Sequence, residues 1–177
     1  MEYVALLRGI NVGGNAKVEM SKLKTIFEKI GCQKVSTYIN SGNVIFEAKQ
    51  PHKELVTAIE AAIKKELGMD IPVVVRDADN IKMLCEKIPE EWTNDDECKT
   101  DVLFLWDEVD SADVVNKAVI NPELENVLYL PGALIWNTGR ENVAKGAGVK
   151  LIGTTLYRRM TVRNINTVRK LNTLLGN

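Results

Sequence analysis

The residues best suited to bind a ligand lie in a glycine-rich segment near the start of the chain. Leu6–Asn15 reads LLRGINVGGN and follows an apolar run typical of a buried strand. Its three glycines are Gly9, Gly13 and Gly14. Glycines let a backbone turn its N–H groups toward a ligand, while Arg8 and Asn11 add a charge and directional hydrogen bonds. The segment therefore predicts an anion- or amide-binding loop, with a surface salt bridge as the alternative role of Arg8.

A second polar group lies in Asn40-Ser41-Gly42-Asn43, between two short apolar runs that predict a β-hairpin. Asparagine and glycine are ordinary turn residues, so the turn alone needs no ligand. Two asparagines and a serine exceed what a turn requires. Asn40, Ser41 and Asn43 are therefore candidate ligand-binding residues, with a plain hairpin turn as the alternative.

A third polar group lies near the C-terminal end of the sequence. Four of its side chains are spaced i, i+3, i+4 and i+7, the spacing of one helical face, and they are Arg163, Asn166, Thr167 and Lys170. Asn164 is a natural N-cap for the predicted helix. Cations and amides beside a helix N-terminus suit a phosphate or carboxylate, although a solvated amphipathic face is the alternative. We include Asn164 with these four as candidate ligand-binding residues.

Several familiar chemistries are not supported by the residues present. No Gly-Lys-Ser/Thr ends the glycine-rich segment, and the Rossmann spacing of glycines is absent. His52 is the only histidine, and the three cysteines, Cys32, Cys85 and Cys98, form no CxxC pair, so we predict no metal site. Paired carboxylates and a nucleophile–base pair are also missing. The sequence therefore specifies no catalytic residue and no cofactor, and leaves open whether the protein is an enzyme.

The net charge of −1 conceals a segregation of charge along the chain. Residues 142–177 carry seven basic side chains and no acidic one, whereas residues 86–113 carry eleven acidic side chains and two lysines. Such segregation indicates either an anion-binding face or two faces that meet in the fold. No apolar run approaches the ~20 residues of a membrane span, and the start lacks a signal peptide, so we expect a cytoplasmic protein without membrane contact.

The chain also reads as two copies of one unit. Three pairs of segments recur in the same order, namely Tyr38–Phe46 with Tyr129–Trp136, Val75–Leu84 with Val162–Leu171, and Tyr3–Leu7 with Val102–Trp106. Apolar periodicity fills in the helices, so that each half predicts β-α-β-β-α-β plus one further helix. This order is that of the split βαβ unit. We therefore predict an α+β fold of two tandem ferredoxin-like (alpha-beta plait) subdomains produced by internal duplication.

The predicted domains are residues 1–88, which carry the glycine-rich loop, an acidic linker at 89–100, and residues 101–177. In the first half the connection from strand to helix runs over Arg8–Ser21, and in the second half over Asp107–Ser111. The first connection is thus about nine residues longer, more than the scaffold needs. Long connections in compact domains are usually functional or disordered, and the apolar residues in this one favour an ordered, functional loop.

Three segments, LLRGINVGG, YINSGNVIF and VRNINTVRKL, resemble the signatures of a widespread bacterial family of unknown function. The resemblance spans nearly the whole chain. It implies an α+β fold of two plait-like subdomains and no established activity, cofactor or catalytic residue. The family's last motif usually has tryptophan where this chain has Ile165, a change that affects packing more than chemistry. The motif positions that correspond in this sequence are Arg8, Gly9, Asn11, Gly13, Gly14, Asn40, Ser41, Gly42, Asn43, Arg163, Asn164, Asn166 and Thr167.

These observations favour a protein that binds a small anionic metabolite or a nucleotide-like ligand through a site rich in glycine, asparagine and arginine. One alternative is a plait protein that binds nucleic acid, although the aromatic content is only 6% and no RNP pattern is present. Another is a protein–protein interaction module that uses the edges of its sheets. The sequence does not decide the oligomeric state.

Overall fold

A computed structural model describes residues 1–13 and 16–176. The chain divides into two compact units, the first comprising Met1–Ile81 and Leu171–Asn177 and the second Lys82–Lys170. Gly14 and Asn15, two residues of the glycine-rich segment, lie outside the described residues.

The first unit contains a four-stranded antiparallel sheet. Its strands are β1 (Glu2–Leu7), β2 (Gln33–Tyr38), β3 (Asn43–Glu47) and β4 (Val73–Asp77), in the order β2-β3-β1-β4. Two helices, α1 (Met20–Lys29) and α2 (His52–Leu67), contribute Phe27 and Ile59 to a core with Tyr3 of β1 and Phe46 of β3. These positions are buried because side chains of a strand alternate between the two faces, and one face receives the apolar stripes of both helices. Helix α3 (Ala78–Lys87) follows β4.

The second unit contains another four-stranded antiparallel sheet. Its strands are β5 (Cys98–Leu105), β6 (Glu125–Leu130), β7 (Ala133–Gly139) and β8 (Met160–Asn164), in the order β6-β7-β5-β8. The helices of the second half are α4 (Val114–Lys117), α5 (Gly148–Leu151) and α6 (Ile165–Leu174). Short 3-10 turns lie at Asp107–Val109, Arg140–Asn142 and Tyr157–Arg159.

The two sheets have the same topology, which confirms the predicted α+β fold of two ferredoxin-like halves. Val4 lies opposite Ile45 and Arg76 in the first sheet, and Val102 lies opposite Ile135 and Arg163 in the second. Val4 and Val102 are therefore equivalent positions. The predicted match of Tyr3–Leu7 with Val102–Trp106 is wrong by one residue, because this register makes Tyr3 equivalent to Asp101.

The halves differ most in their helices. Helix α2 has 16 residues, whereas α5, the helix between the hairpin and the last strand of the second half, has only four. Two details of the predicted connections are also corrected. Helix α1 begins at Met20 with Glu19 as its N-cap, so Ser21 is not the cap. The connection from β1 to α1 spans residues 8–19 and that from β5 to α4 spans residues 106–113, so the excess is four residues rather than nine.

Gly42 provides a test of how tightly the hairpin of the first unit packs. Its φ is +80°, and a Cβ at this position would lie 2.8 Å from Ile10 Cδ1 and 2.9 Å from Leu7 Cβ. We expect Gly42→Ala to lower the free energy of unfolding by about 2–5 kcal/mol, through left-handed backbone strain and overpacking together. Urea denaturation measures this change.

The matched control is Gly68→Ala, since Gly68 has a φ of +69° but no atom within 4 Å of the added Cβ. Gly68→Ala should therefore lower the free energy of unfolding through backbone strain alone, by roughly 1–2 kcal/mol. Equal losses in the two variants would contradict the close packing of Gly42 against Leu7 and Ile10.

Candidate ligand sites in the two units

The glycine-rich loop of the first unit is held in place by the side chain of Asn11. The Asn11 amide Nδ2 donates to the carbonyls of Val18 and Asn40, both at 2.8 Å, and its Oδ1 accepts the Val18 N–H at 2.8 Å. Asn11 has a φ of 55°, a left-handed conformation that asparagine tolerates better than most residues. All of these contacts are within the protein, so Asn11 orders the loop by using its amide group internally.

The loop is also anchored at its start and by one apolar side chain. Ile10 is 1% exposed and belongs to the core of the first unit. The Leu7 N–H donates to the Gly42 carbonyl and the Arg8 N–H donates to the Pro72 carbonyl, both at 2.9 Å. The described part of the loop is thus anchored to the core of the first unit and to its hairpin.

The hairpin tip owes its shape to Asn43. This side chain is fully buried, and its Nδ2 donates to the Tyr38 carbonyl at 3.0 Å and to Ser41 Oγ at 3.1 Å. Asn43 and Ser41 therefore close the turn. Asn40 is exposed, and its carbonyl receives the Asn11 amide. The first two motifs consequently form one continuous surface within the first unit.

An open depression of about 800 Å³ borders this surface. Its polar lining includes Asn11, Asn40, Lys17 and Lys22, and its remaining lining residues are Val18, Glu19, Met20, Glu66, Leu67 and Met69. Lys22 Nζ lies 3.3 Å from Glu19 Oε1, and both side chains are exposed. The depression thus joins the loop and the hairpin tip to lysines near the start of α1.

Arg163 occupies a different place from the one that its spacing predicts. Helix α6 begins at Ile165, so Arg163 lies on strand β8, where it is 7% exposed. Its Nη1 donates to Thr161 Oγ1 at 3.1 Å and to the Val162 carbonyl at 2.8 Å. Burial lowers the pKa of Arg163 to about 10, which still leaves it cationic at neutral pH. The predicted polar stripe on one helical face is therefore wrong for Arg163.

The equivalent residue in the first unit is Arg76, which is also buried, at 8% exposure. Its Nη1 donates to the Val75 carbonyl at 2.9 Å, just as Arg163 donates to the carbonyl of its preceding residue. Because the duplication repeats both the burial and this hydrogen bond, the structure favours a role of Arg163 in the architecture of the strand.

The rest of the third motif caps and anchors helix α6. Asn164 Oδ1 accepts the Thr167 N–H at 2.9 Å, which confirms the predicted cap, and Asp77 Oδ1 accepts the Asn80 N–H at 2.8 Å in the equivalent place of the first half. The side chain of Asn166 donates to the Asn94 carbonyl at 2.8 Å. Thr167 is buried and Lys170 is exposed.

The acidic segment of residues 89–100 is fastened to basic side chains through its backbone. Arg169 Nη2 lies 3.4 Å from the carbonyls of Pro89 and Glu90, and Arg140 Nε donates to the Asp95 carbonyl at 2.7 Å. Arg169 belongs to the basic segment 142–177, and Arg159 of the same segment lies with its Nη1 3.7 Å from Glu108 Oε1 of the acidic segment 86–113. These contacts support the explanation that the two segments meet in the fold.

The second unit contains a cavity of about 260 Å³ that none of the sequence motifs predicted. It is lined by Lys99, Asp101, Leu103, Glu125, Trp136, Thr138, Val143, Gly148, Val149, Leu151, Ile152, Tyr157 and Val162. The lining comes from strands β5 to β8 and from the segment of residues 143–157. One feature of the sequence could have indicated this cavity. The segment of residues 143–157 has no long amphipathic helix pattern like the one over residues 55–63 in the first half.

Glu125 occupies a nest of backbone N–H groups at the edge of this cavity. It is 5% exposed, and its carboxylate accepts the N–H groups of Asn121 at 3.0 Å and Gly148 at 2.8 Å. Burial opposes the charged form, but these bonds, the Ala147 N–H and the adjacent Trp136 indole outweigh it and lower the pKa of Glu125. The Trp136 N–H lies near the carboxylate without a hydrogen bond of good geometry.

The sequence and the fold were both compared with those of known proteins. Residues 1–136 match the family model described as a protein of unknown function (DUF1697). The chain belongs to the DUF1697 family. A solved structure of the conserved bacterial protein SP0830 from Streptococcus pneumoniae is 28% identical, covers 98% of each chain and has a TM-score of 0.86. No curated protein matches the sequence.

These similarities confirm the resemblance to a family of unknown function and assign no ligand. Within residues 1–13 and 16–176, no helix is both long and apolar enough to cross a membrane. The same residues contain no group of three or more His, Cys, Asp or Glu side chains arranged to hold a metal ion. Burial raises the pKa of the thiols of Cys32 and Cys85 to about 11, so neither supplies a thiolate nucleophile at neutral pH.

The role of Asn11 can be tested by Asn11→Asp, which keeps the size of the side chain but replaces its amide donor with an oxygen. Because that oxygen would face two carbonyls, we expect the free energy of unfolding to fall by about 1–3 kcal/mol. Denaturant unfolding measures this loss, and hydrogen exchange at Val18 shows whether the loop opens. Asn40→Ala is the control, expected to change stability by no more than about 0.5 kcal/mol. An unchanged stability of Asn11→Asp would contradict the anchoring role.

Glu125 gives a prediction about pH. Since its pKa is lowered from 4.5 in the folded state, its contribution to stability is present above pH 4.5 and is lost as pH falls through the folded pKa. We expect Glu125→Gln to be less stable than the natural protein at pH 7, because its amide presents a donor to the N–H nest. The difference should shrink as pH falls below 4.5, as thermal unfolding across pH would show. A pH-independent difference would contradict a charged Glu125.

Proposed function

We propose that the first unit binds a small anionic molecule in the depression between the glycine-rich loop, the hairpin tip and helix α1. The observation that supports this proposal is the pair of hydrogen bonds that join Asn11 to Val18 and to Asn40. They make one ordered surface from two motifs that the sequence identifies separately. An ordered loop loses little conformational entropy when a ligand binds, which favours affinity.

The charges around the depression favour an anion. Lys17 and Lys22 line it together with Glu19 and Glu66. Lys29 Nζ lies 2.7 Å from Glu66 Oε2, and this hydrogen bond lowers the pKa of Glu66. Glu66 is thus paired with Lys29, and Glu19 is paired with Lys22. Lys17 is the third lysine beside these two carboxylates, so this group of side chains has a net positive charge.

The ligand class follows from this geometry. An open depression with two lysines and exposed amides suits a phosphate or carboxylate carried by a small metabolite or a nucleotide-like molecule. The contacts described above assign Asn43, Arg163 and Asn164 to structural roles, so they are not needed in this site. Asn11 and Asn40 are the members of the predicted set that line the depression.

Nucleic-acid binding is less well supported. Plait proteins that bind RNA stack bases on aromatic side chains of an open sheet face. In the first unit Tyr3 and Phe46 are stacked on each other, with ring centroids 5.7 Å apart, and they are only 3% and 1% exposed within the core. These rings are covered and cannot serve as a stacking platform.

The experiment is a calorimetric titration with pyrophosphate, AMP, citrate and a short RNA at two salt concentrations. Lys17→Gln/Lys22→Gln should weaken binding of the preferred anion by about tenfold, equivalent to 1.4 kcal/mol, because it removes both lysines of the depression. The control Lys49→Gln/Lys53→Gln makes the same change of net charge in the first unit at two exposed residues outside the depression. Its affinity should stay within a factor of two of the natural protein.

Three results would reject the proposal. They are no binding of any of the anions, an equal loss in the two double variants, or binding only of a short RNA with a steep salt dependence. The last would indicate phosphate-backbone recognition instead.

A further inference from the structure

The cavity of the second unit lies where the first unit has a filled core. In the first unit, α1 and α2 bury the sheet face that includes Tyr3 and Leu7. In the second unit the helix following the hairpin is α5, which has four residues, and it leaves a space of about 260 Å³ over the corresponding part of the sheet. The same topology therefore yields a packed core in one half and a concave site in the other.

The sheet side of this cavity carries an ion pair. Lys99, Asp101 and Leu103 alternate along β5 and all line the cavity. Lys99 Nζ lies 3.1 Å from Asp101 Oδ2, and the two side chains are 37% and 24% exposed. Asp101 is equivalent to Tyr3, which is 3% exposed in the core of the first unit. A carboxylate thus stands at a position that the first unit fills with an aromatic ring.

The other walls are mostly apolar. Leu103 and Leu151 are buried in the core of the second unit, and Val143 and Val162 are half-buried. Val149 and Ile152 also line the cavity but are 50% and 61% exposed. Large exposed apolar side chains beside a cavity would lose contact with water when an apolar ligand binds. The cavity accordingly has a polar end on β5 and apolar walls around α5.

The second carboxylate of the cavity does not need a ligand. Glu125 is already satisfied by the N–H groups of Asn121 and Gly148. A Cβ added at Gly146 would overlap the Glu125 carboxylate, so this nest is closed by the protein itself. Lys99 and Asp101 form an ion pair with each other but, unlike Glu125, are partly exposed, so they are the charged groups of the cavity that a ligand can contact, one of each sign.

We propose that this cavity binds a small molecule with a branched apolar tail and a head that is neutral overall but presents both a hydrogen-bond donor and an acceptor. The ammonium of Lys99 would donate to the acceptor, and the carboxylate of Asp101 would accept from the donor. A head with a single charge would meet one partner and one repelling group. Zwitterionic apolar amino acids and primary amides share this chemistry. The volume is below the roughly 300–1,000 Å³ of sites for drug-sized ligands, which favours a compact molecule.

The test uses four compounds with branched aliphatic tails and different heads. Leucine is a zwitterion, 4-methylpentanamide a neutral amide, 4-methylpentanoate an anion and 3-methylbutylamine a cation. Binding is followed by NMR through the indole N–H signal of Trp136, which lines the cavity and is assigned by its loss in Trp136→Phe. We expect leucine or the amide to bind at least about tenfold more tightly than either singly charged compound. Comparing these two neutral heads distinguishes an amino-acid site from an amide site.

Two variants test the polar end directly. Asp101→Asn should make 4-methylpentanoate bind more tightly and 3-methylbutylamine more weakly than in the natural protein, since Lys99 loses its partner. Lys99→Gln should produce the reverse order. A loss of folding would weaken the binding of both compounds. An opposite change in their two affinities therefore cannot result from instability. Asp113→Asn and Lys117→Gln, which alter an exposed ion pair of 2.9 Å outside the cavity, should leave the order unchanged.

The proposal is overturned if none of the four compounds shifts the Trp136 signal. It is also overturned if the singly charged compounds bind as tightly as the compounds with neutral heads. A third contrary result is that each β5 variant changes the affinities for 4-methylpentanoate and 3-methylbutylamine in the same direction. It does not depend on the anion site, because the two sites lie in different units and their tests use different variants.

Discussion

The structure depends most on one constraint, which is that a four-stranded sheet of this topology needs two helices to cover its core face. The first half meets the requirement with α1 and α2, whose residues Phe27 and Ile59 pack in one core with Tyr3. The second half replaces the second helix with the four-residue α5. The difference between a core and a cavity follows from this substitution, because the strand order is the same in both halves.

A second consequence of the fold is that many residues with the appearance of ligand-binding groups stabilise the backbone. Asn11, Asn43 and Asn164 each direct an amide group to main-chain atoms, and Arg163 donates to the carbonyl beside it. Asn43 and Arg163 are buried, and buried polar groups must be paired, because an unpaired one costs about 1–3 kcal/mol. Their residue types therefore reflect the requirements of loops and caps as much as those of chemistry.

Much of the fold could be predicted from the sequence, and the reason is repetition. The segments around Tyr38–Phe46 and Tyr129–Trp136 share a hairpin pattern, and the paired Val-Arg segments share a strand followed by a cap. The periodicity of apolar residues and the residue types of turns are local signals, so they can be read from the sequence without knowledge of the packing. Arg163 was misplaced because helical spacing applies only inside a helix, and the cap at Asn164 already marked the helix start beyond it.

The site in the second unit was not predictable in the same way, because it arises where the second half has no long helix after its hairpin. No residue of the segment that leads to Tyr157 signals a cavity; only the register of the two sheets shows that Asp101 stands in the place of Tyr3. Internal duplication thus supplies a comparison within one molecule. Where the two copies keep the same residue type, as at Arg76 and Arg163, the fold explains it. Where a core position becomes charged, as at Asp101, packing no longer explains the residue, and a ligand is the explanation that the cavity supports.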